Sequence, residues 1–414
     1  MRAASAVDRR SEPMIRVGLK QAMIRSPVAD RRILPAPWRR AWRAAVLAPL
    51  LLLATCGPAG NTEISLAAVA APGPAAQTAG PARFTEREFV APDGARLPLR
   101  RWLPRGPVKA VVLALHGFND YGKAFELPAK AWAERGIATY GYDQRGFGGS
   151  PDPGSWAGEG RLAVDAIAAS RALRRAYPGR PVYLLGESMG GAIAILAATG
   201  AISGVIAGPE GVPTADVDGV ILSAPAVWGR DTMDLLPKMA LFAAVRLFPT
   251  LTLSGSGLGI RVSDNLPVLR ALARDPLVLK GARVETVYGL VDLMDSALAA
   301  APRLDVPMLL LYGAHDRIVP PRPIAEFVAQ LPPEPRQPRR LAYYPAGYHL
   351  LFRDLAGAIV AADVASWIFD RRAPLPSGAD AAAAASPWPP RERRASSSGG
   401  PGRQRHVPSG ATAS

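Results

Sequence analysis

The sequence predicts an α/β protein with a mostly parallel central sheet, helices on both faces of that sheet and a helical cap inserted late in it. Short apolar segments alternate along the chain with longer segments of helical periodicity. Nearly half of the 414 residues are hydrophobic, which is enough for a core of about two to three hundred residues. One long segment without an obvious strand interrupts the alternation, and such a segment predicts a separate cap.

Six apolar segments have the length of buried strands and lie beside turn-forming residues. They are residues 108–115, 137–142, 182–185, 220–223, 308–312 and 340–344. Two earlier segments, 84–90 and 97–103, are separated by Asp93-Gly94 and predict an opening hairpin. Helix-length connections between the later strands are typical of parallel pairing.

Helices are predicted at residues 125–135 and 163–177, between consecutive strands. The second has its apolar residues on one face, and Pro178-Gly179 ends it. Residues 224–302 form the predicted cap over the carboxyl edge of the sheet, the edge where ligands bind in such folds.

The apolar residues of the predicted cap admit two interpretations, an acyl-binding pocket or packing against the core. Because an amphipathic helix buries one stripe, we expect packing for most of them. They are Leu235, Leu236, Met239, Leu241, Phe242, Leu247 and Phe248.

The excess of basic residues lies at the two ends of the chain. Residues 1–56 contain eleven basic and three acidic side chains, and residues 373–414 contain five and two, which leaves a nearly balanced segment between them. A nucleic-acid-binding surface is therefore not expected on the folded part. We predict a flexible linker at 57–82, the folded domain at 83–372 and a disordered tail at 373–414.

Residues 1–56 predict a bacterial export signal. Three arginines within 39–43 precede the apolar run 44–54, which is too short to predict a membrane span. Leu53-Ala54-Thr55-Cys56 resembles the lipobox of bacterial lipoproteins, whose cysteine is lipidated, although Thr55 departs from the usual small residue. We expect membrane anchoring on the periplasmic side, with a simply cleaved signal or an uncleaved anchor as the alternatives.

Gly186-Glu187-Ser188-Met189-Gly190 matches the pattern G-x-S-x-G, which chance alone often supplies in a glycine-rich chain. Its context is more specific, because the motif follows the strand at 182–185 and runs into a helix-forming segment at 191–198. A serine on this strand-to-helix turn projects its hydroxyl at the sheet edge, where side chains in place of the glycines would collide. Ser188 is therefore the predicted nucleophile of an α/β-hydrolase fold.

A serine hydroxyl needs a general base at neutral pH, and the chain has four histidines. His406 lies in the predicted tail, His116 precedes the nucleophile, and His315 directly precedes an aspartate. In α/β-hydrolases the triad runs in the order serine, acid, histidine, with the acid after a penultimate strand. His349, in the loop after the last strand, is the predicted base, and Asp316 is the predicted orienting acid.

Two main-chain amides are predicted to bind the oxyanion of the tetrahedral intermediate. Met189 directly follows the nucleophile, and Phe118 lies in the loop after the strand at 108–115. His116, in the same loop, is expected to shape the loop rather than to take part in catalysis.

Residues 83–372 resemble the monoacylglycerol lipase and lysophospholipase branch of the α/β-hydrolases, which overlaps the group called serine aminopeptidases. The resemblance rests on His116-Gly117-Phe118, residues 142–150, the motif around Ser188, residues 273–277, the Asp316 turn and Gly347-Tyr348-His349. Gln144 replaces a histidine common in that branch, but it is not a triad position. The resemblance implies a hydrolase without a metal or other cofactor, with a mobile helical cap over an acyl-binding pocket.

The expected reaction is hydrolysis of carboxylic esters, in particular monoacylglycerol- or lysophospholipid-like lipids, through an acyl-enzyme. An aminopeptidase or amidase with the same triad is one alternative. It needs acidic residues for the substrate's amine, and the candidates are Asp231, Asp234, Asp292 and Asp295. A non-catalytic, membrane-tethered binding module is the other alternative. Acyl length, head group and oligomeric state are left open.

Overall fold

The structure is a computed structural model that describes residues 80–202, 213–254, 259–333 and 337–384. Its centre is a nine-stranded sheet. The strands are β1 Arg83–Phe84, β2 Glu88–Val90, β3 Arg96–Trp102, β4 Ala110–Leu115, β5 Ile137–Tyr142, β6 Val182–Glu187, β7 Gly219–Ser223, β10 Met308–Gly313 and β11 Arg339–Tyr344. They lie in the order β1-β2-β3-β5-β4-β6-β7-β10-β11, and β8 and β9 form a separate ribbon described below. The six neighbouring strands β5, β4, β6, β7, β10 and β11 are parallel to one another, and β1, β2 and β3 extend the sheet beyond β5 through antiparallel pairs. The predicted fold class is therefore confirmed.

Helices lie on both faces of the sheet, in a cap and beside one edge strand. The helices are α1 Glu126–Glu134, α2 Glu159–Ala176, α3 Met189–Thr199, α4 Leu235–Leu247, α5 Leu266–Arg274, α6 Val284–Ala300, α7 Pro321–Gln330, α8 Gly357–Phe369 and α9 Ala379–Ala384. Alternate residues of each central strand face opposite layers, as the two-residue period of a strand requires. In β4, for example, Val111 and Leu113 belong to the core cluster that includes residues of α2 and α3, whereas Val112 belongs to the cluster that includes residues of α1 and α8.

Residues 373–384 are ordered and packed, although the sequence predicted a disordered tail from residue 373. Helix α9 lies beside the edge strand β11, and Leu375, Ala379 and Ala383 are buried. Asp380 pairs with Arg340 of β11 and also accepts the amide of Leu375. The predicted end of the domain at Arg372 is therefore too early, because an alanine-rich helix gains order from covering a sheet edge.

The predicted cap at 224–302 is too long, because α6 belongs to the core. Nine residues of α6 are buried, and the helix packs on α2 and α3. The cap proper comprises α4, α5 and a short antiparallel ribbon of β8 (Thr252–Leu253) and β9 (Ala282–Arg283), which the sequence did not predict. Across the described ranges, no helix is both long and apolar enough to cross a membrane.

The apolar residues of α4 are mostly exposed, although packing against the core was expected. Neither α4 nor α5 has a buried residue. Of the seven apolar cap residues for which the sequence left two interpretations open, six have side chains that are 52% to 79% exposed. Only Leu241 packs against the core. The six are Leu235, Leu236, Met239, Phe242, Leu247 and Phe248. The cap thus presents a contiguous apolar stretch of chain to solvent.

Candidate active site

Ser188 lies on a sharp turn between β6 and α3. Its backbone has φ 54° and ψ −116°, in the left-handed region that a residue with a side chain rarely adopts. The surrounding chain holds this strained conformation, since the Ser188 amide donates to Ser223 O at 2.9 Å and its carbonyl accepts the amides of Gly191 and Ala226. Such strain is concentrated at functional sites.

The glycines on either side of Ser188 are required by close backbone packing. A Cβ atom on Gly186 would overlap the carbonyl of Gly190, and one on Gly190 would overlap the carbonyl of Leu115. The carbonyls are main-chain atoms that cannot rotate away, so any side chain would force the turn apart. The spacing of the G-x-S-x-G motif therefore follows from the packing of this turn on β4.

Asp316 and His349 form a buried hydrogen-bonded pair at the ends of β10 and β11. Nδ1 of His349 lies 2.8 Å from Oδ2 of Asp316. Oδ1 of Asp316 accepts the amides of Ile318 and Val319 at 2.8 and 3.0 Å, which fixes the carboxylate. Because parallel strands end at one edge, the pair lies at the same edge as Ser188. With Nδ1 engaged, Nε2 is the nitrogen available for a serine proton.

The environment of His349 favours its charged form. Burial by itself lowers the pKa of His349, but the charge and hydrogen bond of Asp316, together with the charge of Glu187, outweigh burial and the nearby Arg353 and raise that pKa above its ordinary value. A base whose conjugate acid is stabilised in this way is suited to hold a proton during nucleophilic attack.

We expect the acid limb of the pH profile of kcat/KM to lie above pH 6.5, the ordinary pKa of histidine. His349 accepts a proton only when neutral, so a raised pKa means that activity is lost at a higher pH as the solution is acidified. Steady-state kinetics on a soluble ester from pH 4.5 to 9 would measure the limb. An acid limb below 6.5 on a protein that stays folded would contradict this prediction.

The loop after β4, which contains Phe118, passes beside Ser188. A Cβ atom on Gly117 would lie 3.4 Å from Cβ of Ser188, so the loop touches the turn that carries the serine. Asn119 has a φ of 63° and turns the chain sharply. In the described part of the chain, neither the Phe118 amide nor the Met189 amide has an acceptor, and Met189 is the first residue of α3. Both amides are thus free to bind an oxyanion.

His116 shapes this loop, as expected from the sequence. Its Nδ1 lies 2.8 Å from Gly117 O, and its Nε2 accepts the amide of Gln144 at 2.9 Å. The side chain of Gln144 in turn donates to the carbonyl of His116. Burial lowers the pKa of His116, and the two contacts match the neutral ring with its proton on Nδ1.

A buried ionic network below the site was not predicted. Arg353, four residues after His349, donates to Asp120 in the Phe118 loop and to Glu187, the residue before Ser188. Nothing in the local sequence around Arg353 identifies it. A search for charged residues next to each predicted catalytic residue would have found Glu187 and Asp120, but not their shared partner.

The cap contacts the loop that carries Phe118. Tyr121 donates its hydroxyl proton to Asp275 Oδ2 at 2.6 Å, and the Leu279 amide donates to Asn119 O at 2.9 Å. These contacts fall within and just after residues 273–277, one of the segments that carried the family resemblance.

The cap also contacts the loop that carries His349. The Leu350 amide donates to Val262 O at 3.0 Å, and Ser263 Oγ donates to Arg353 O at 3.2 Å. Ser188 and His349 are only 8% and 5% exposed. Both side chains therefore lie below the protein surface, between loops that the cap contacts.

Two of the four candidate acidic residues for an amine subsite are already paired. Arg230 forms ion pairs with Asp292, at 2.7 Å, and with Asp295. Arg230 engages both carboxylates but offsets only one of their two charges, so one negative charge remains in this cluster. The described residues also contain no group of three or more His, Cys, Asp or Glu side chains placed to hold a metal ion.

Comparisons with known proteins point to one family. Residues 106–356 match the family described as serine aminopeptidase, S33. The monoglyceride lipase of Homo sapiens is 28% identical over 291 residues, which are 69% of this chain and 90% of the lipase. The monoacylglycerol lipase of Mycolicibacterium smegmatis is 27% identical over 297 residues, 69% of this chain and 96% of the lipase.

Solved structures agree on the fold. A soluble variant of the monoglyceride lipase of Saccharomyces cerevisiae, in complex with a substrate analogue, has a TM-score of 0.56 at 20% identity. The match covers 72% of this chain and 97% of that one. At this identity the likeness establishes the α/β-hydrolase fold.

Proposed function

The chain belongs to the serine aminopeptidase S33 family of α/β-hydrolases, and we propose that it is a serine hydrolase that cleaves the ester bond of monoacylglycerol-like lipids. The observation that carries the proposal is the buried Asp316–His349 pair at the same sheet edge as Ser188 on its strained turn. These residue types in this order and placement are the parts of a Ser-His-Asp triad.

The proposed reaction begins with attack of Ser188 Oγ on the ester carbonyl. Nε2 of His349 takes the serine proton, and Asp316 stabilises the resulting imidazolium through Nδ1. The amides of Phe118 and Met189 bind the oxyanion of the tetrahedral intermediate. His349 then protonates the leaving alcohol, and water repeats the cycle on the acyl-enzyme to release the acid.

An ester of a long acyl chain fits the exposed apolar surface of the cap. The named relatives are lipases of monoglycerides or monoacylglycerols. Helix α4 adds a physical reason, since its exposed leucines, methionine and phenylalanine lose contact with water when they meet a lipid aggregate. We infer that the cap meets the lipid surface and that its movement admits the acyl chain.

We further propose that the protein is exported in a bacterium and anchored to a membrane at its periplasmic side through lipidated Cys56. The support is the sequence alone, since residues 1–79 lie outside the described residues. The arginines at 39–43, the apolar run and the lipobox-like Leu53-Ala54-Thr55-Cys56 are the motifs that carry it. Fractionation of cells that express the full chain or Cys56→Ser tests it, and retention of both in the membrane would refute lipidation as the anchor.

A substrate panel tests the enzymatic proposal. The full chain is incubated with a medium-chain monoacylglycerol, a lysophosphatidylcholine of the same acyl length and an aminoacyl anilide, and a fluorophosphonate probe is applied in parallel. We expect fatty acid from the monoacylglycerol and labelling at Ser188. Release of aniline without fatty acid would instead indicate an aminopeptidase. A folded sample that the probe does not label would indicate a binding module.

A further inference from the structure

Arg353 occupies the junction of the three loops that carry the proposed catalytic groups. It lies in a short 3-10 helix after His349, and its side chain is 6% exposed. One terminal nitrogen lies 2.6 Å from Oδ2 of Asp120, and the other lies 2.6 Å from Oε1 of Glu187. A planar guanidinium can bind two carboxylates at fixed positions in this way, whereas an ammonium group has no such fork.

Each partner of Arg353 is next to a catalytic position. Glu187 directly precedes Ser188, and Asp120 is two residues after Phe118. Asp120 also fixes its own loop, since its amide donates to Gly117 O and its Oδ1 accepts the amide of Tyr121. Arg353 therefore connects the Ser188 turn, the Phe118 loop and the loop after His349 through two hydrogen bonds.

Stability alone is a poor explanation for this network. The free energy of removing a charged group from water often exceeds the stabilisation that a buried ion pair provides. Proteins in which apolar residues replace such a network are often equally stable. In the described structure, Nε of Arg353 and Oε2 of Glu187 are also buried without a hydrogen-bond partner. An incompletely satisfied buried network at a site is the kind of feature that a functional constraint retains.

We propose that Arg353 is a positioning residue, which holds the Ser188 turn and the Phe118 loop in register with His349 through its bonds to Glu187 and Asp120. The inference rests on the proposed serine hydrolase function. Arg353 itself does not touch the reacting atoms in this mechanism.

The network also sets the charge around His349. The groups that act on this imidazole are Asp316 and Glu187, which raise its pKa, and Arg353, which lowers it. Within the network, Glu187 and Arg353 thus act on the ring in opposite directions. Loss of the Glu187 charge is therefore expected to lower the pKa of His349.

Two substitutions separate geometry from charge. Arg353→Lys keeps the positive charge but loses the fork, and we expect kcat to fall about 10- to 100-fold, since small misplacements of reacting groups have effects of this size. KM should change less than about threefold, because the binding surface for the acyl chain is untouched. Glu187→Gln keeps an acceptor for Arg353 but loses the charge, and we expect the acid limb of its pH profile to move to lower pH.

Asp165→Asn is the matched control. Asp165 of α2 is a buried carboxylate that both Nε and a terminal nitrogen of Arg145 contact, at 2.6 and 3.0 Å, and neither residue belongs to the three loops that Arg353 joins. This variant loses one charge of a buried ion pair, so it reports general destabilisation. It should keep the parental kcat and acid limb even if its thermal unfolding temperature falls.

The full chain and its variants are compared by steady-state hydrolysis of a monoacylglycerol and by the rate of fluorophosphonate labelling from pH 5 to 9. A folded Arg353→Lys with parental kcat, or the same losses in Asp165→Asn, would overturn the inference. If Arg353→Lys does not fold, Glu187→Gln decides, because it replaces a charge-assisted bond of Arg353 by a weaker neutral one, and a folded Glu187→Gln with parental kcat would overturn the inference. A folded parent that is not labelled at Ser188 would overturn the proposed function itself, whereas a labelled parent with unaffected variants overturns only the role of Arg353.

Discussion

Ser188→Ala is expected to reduce kcat for ester hydrolysis on the order of 10⁴- to 10⁶-fold and to abolish fluorophosphonate labelling. The proposed acyl-enzyme cannot form without the hydroxyl oxygen, and the remaining amides and imidazole give only a small residual rate. Alanine can adopt the backbone conformation of Ser188 with the same strain as serine, because both residues carry a Cβ atom. The thermal unfolding temperature should therefore stay close to that of the parent.

Ser223→Ala is the control for this variant. Ser223 lies at the end of the neighbouring strand β7, is fully buried, and its hydroxyl has no hydrogen-bond partner within the described residues. Alanine retains the main-chain carbonyl that accepts the Ser188 amide. We expect near-parental kcat and normal labelling. Hydrolysis by Ser188→Ala at the rate of Ser223→Ala would show that another nucleophile acts.

Asp316→Asn is expected to lower kcat about 10⁴-fold while the protein stays folded. Oδ1 of Asp316 accepts the amides of Ile318 and Val319, and the amide oxygen of asparagine can keep both bonds. Its NH₂ group then replaces Oδ2 opposite Nδ1 of His349. Because NH₂ only donates, Nδ1 must accept, and the ring proton moves to Nε2. An imidazole with its proton on Nε2 cannot take the proton of Ser188.

Rates and unfolding curves of Asp316→Asn and Asp316→Ala, measured together, test this explanation. Alanine removes the acceptor for both backbone amides. Asp316→Ala should therefore also lower the free energy of unfolding by roughly 1–3 kcal/mol, because these amides are left without a partner. Asp316→Asn should keep the free energy of unfolding of the parent but lose activity. An Asp316→Asn variant with kcat within about tenfold of the parent would contradict the role of Asp316 as the orienting acid.

The sequence by itself determined the features that depend on neighbouring residues along the chain. All six predicted parallel strands are present with boundaries shifted by at most two residues, because apolar segments flanked by turns leave few other ways to bury their side chains. The turn at Ser188 could be predicted for the same reason, since its glycines are required by local backbone packing. The order of serine, acid and histidine along the chain then indicated Asp316 and His349. In the structure, Nδ1 of His349 lies 2.8 Å from Oδ2 of Asp316.

Tertiary structure alone decided the features that depend on residues far apart in the sequence. Arg353 meets Asp120 across 233 residues and Glu187 across 166, so no local pattern contains the network. The alanine-rich α9 has no amphipathic pattern and is ordered by the edge of β11, whereas α4 has the apolar residues of a core helix and leaves them exposed. Burial is a property of the position that a segment reaches in the fold. A sequence specifies which segments can be buried, but the available neighbours decide which of them are.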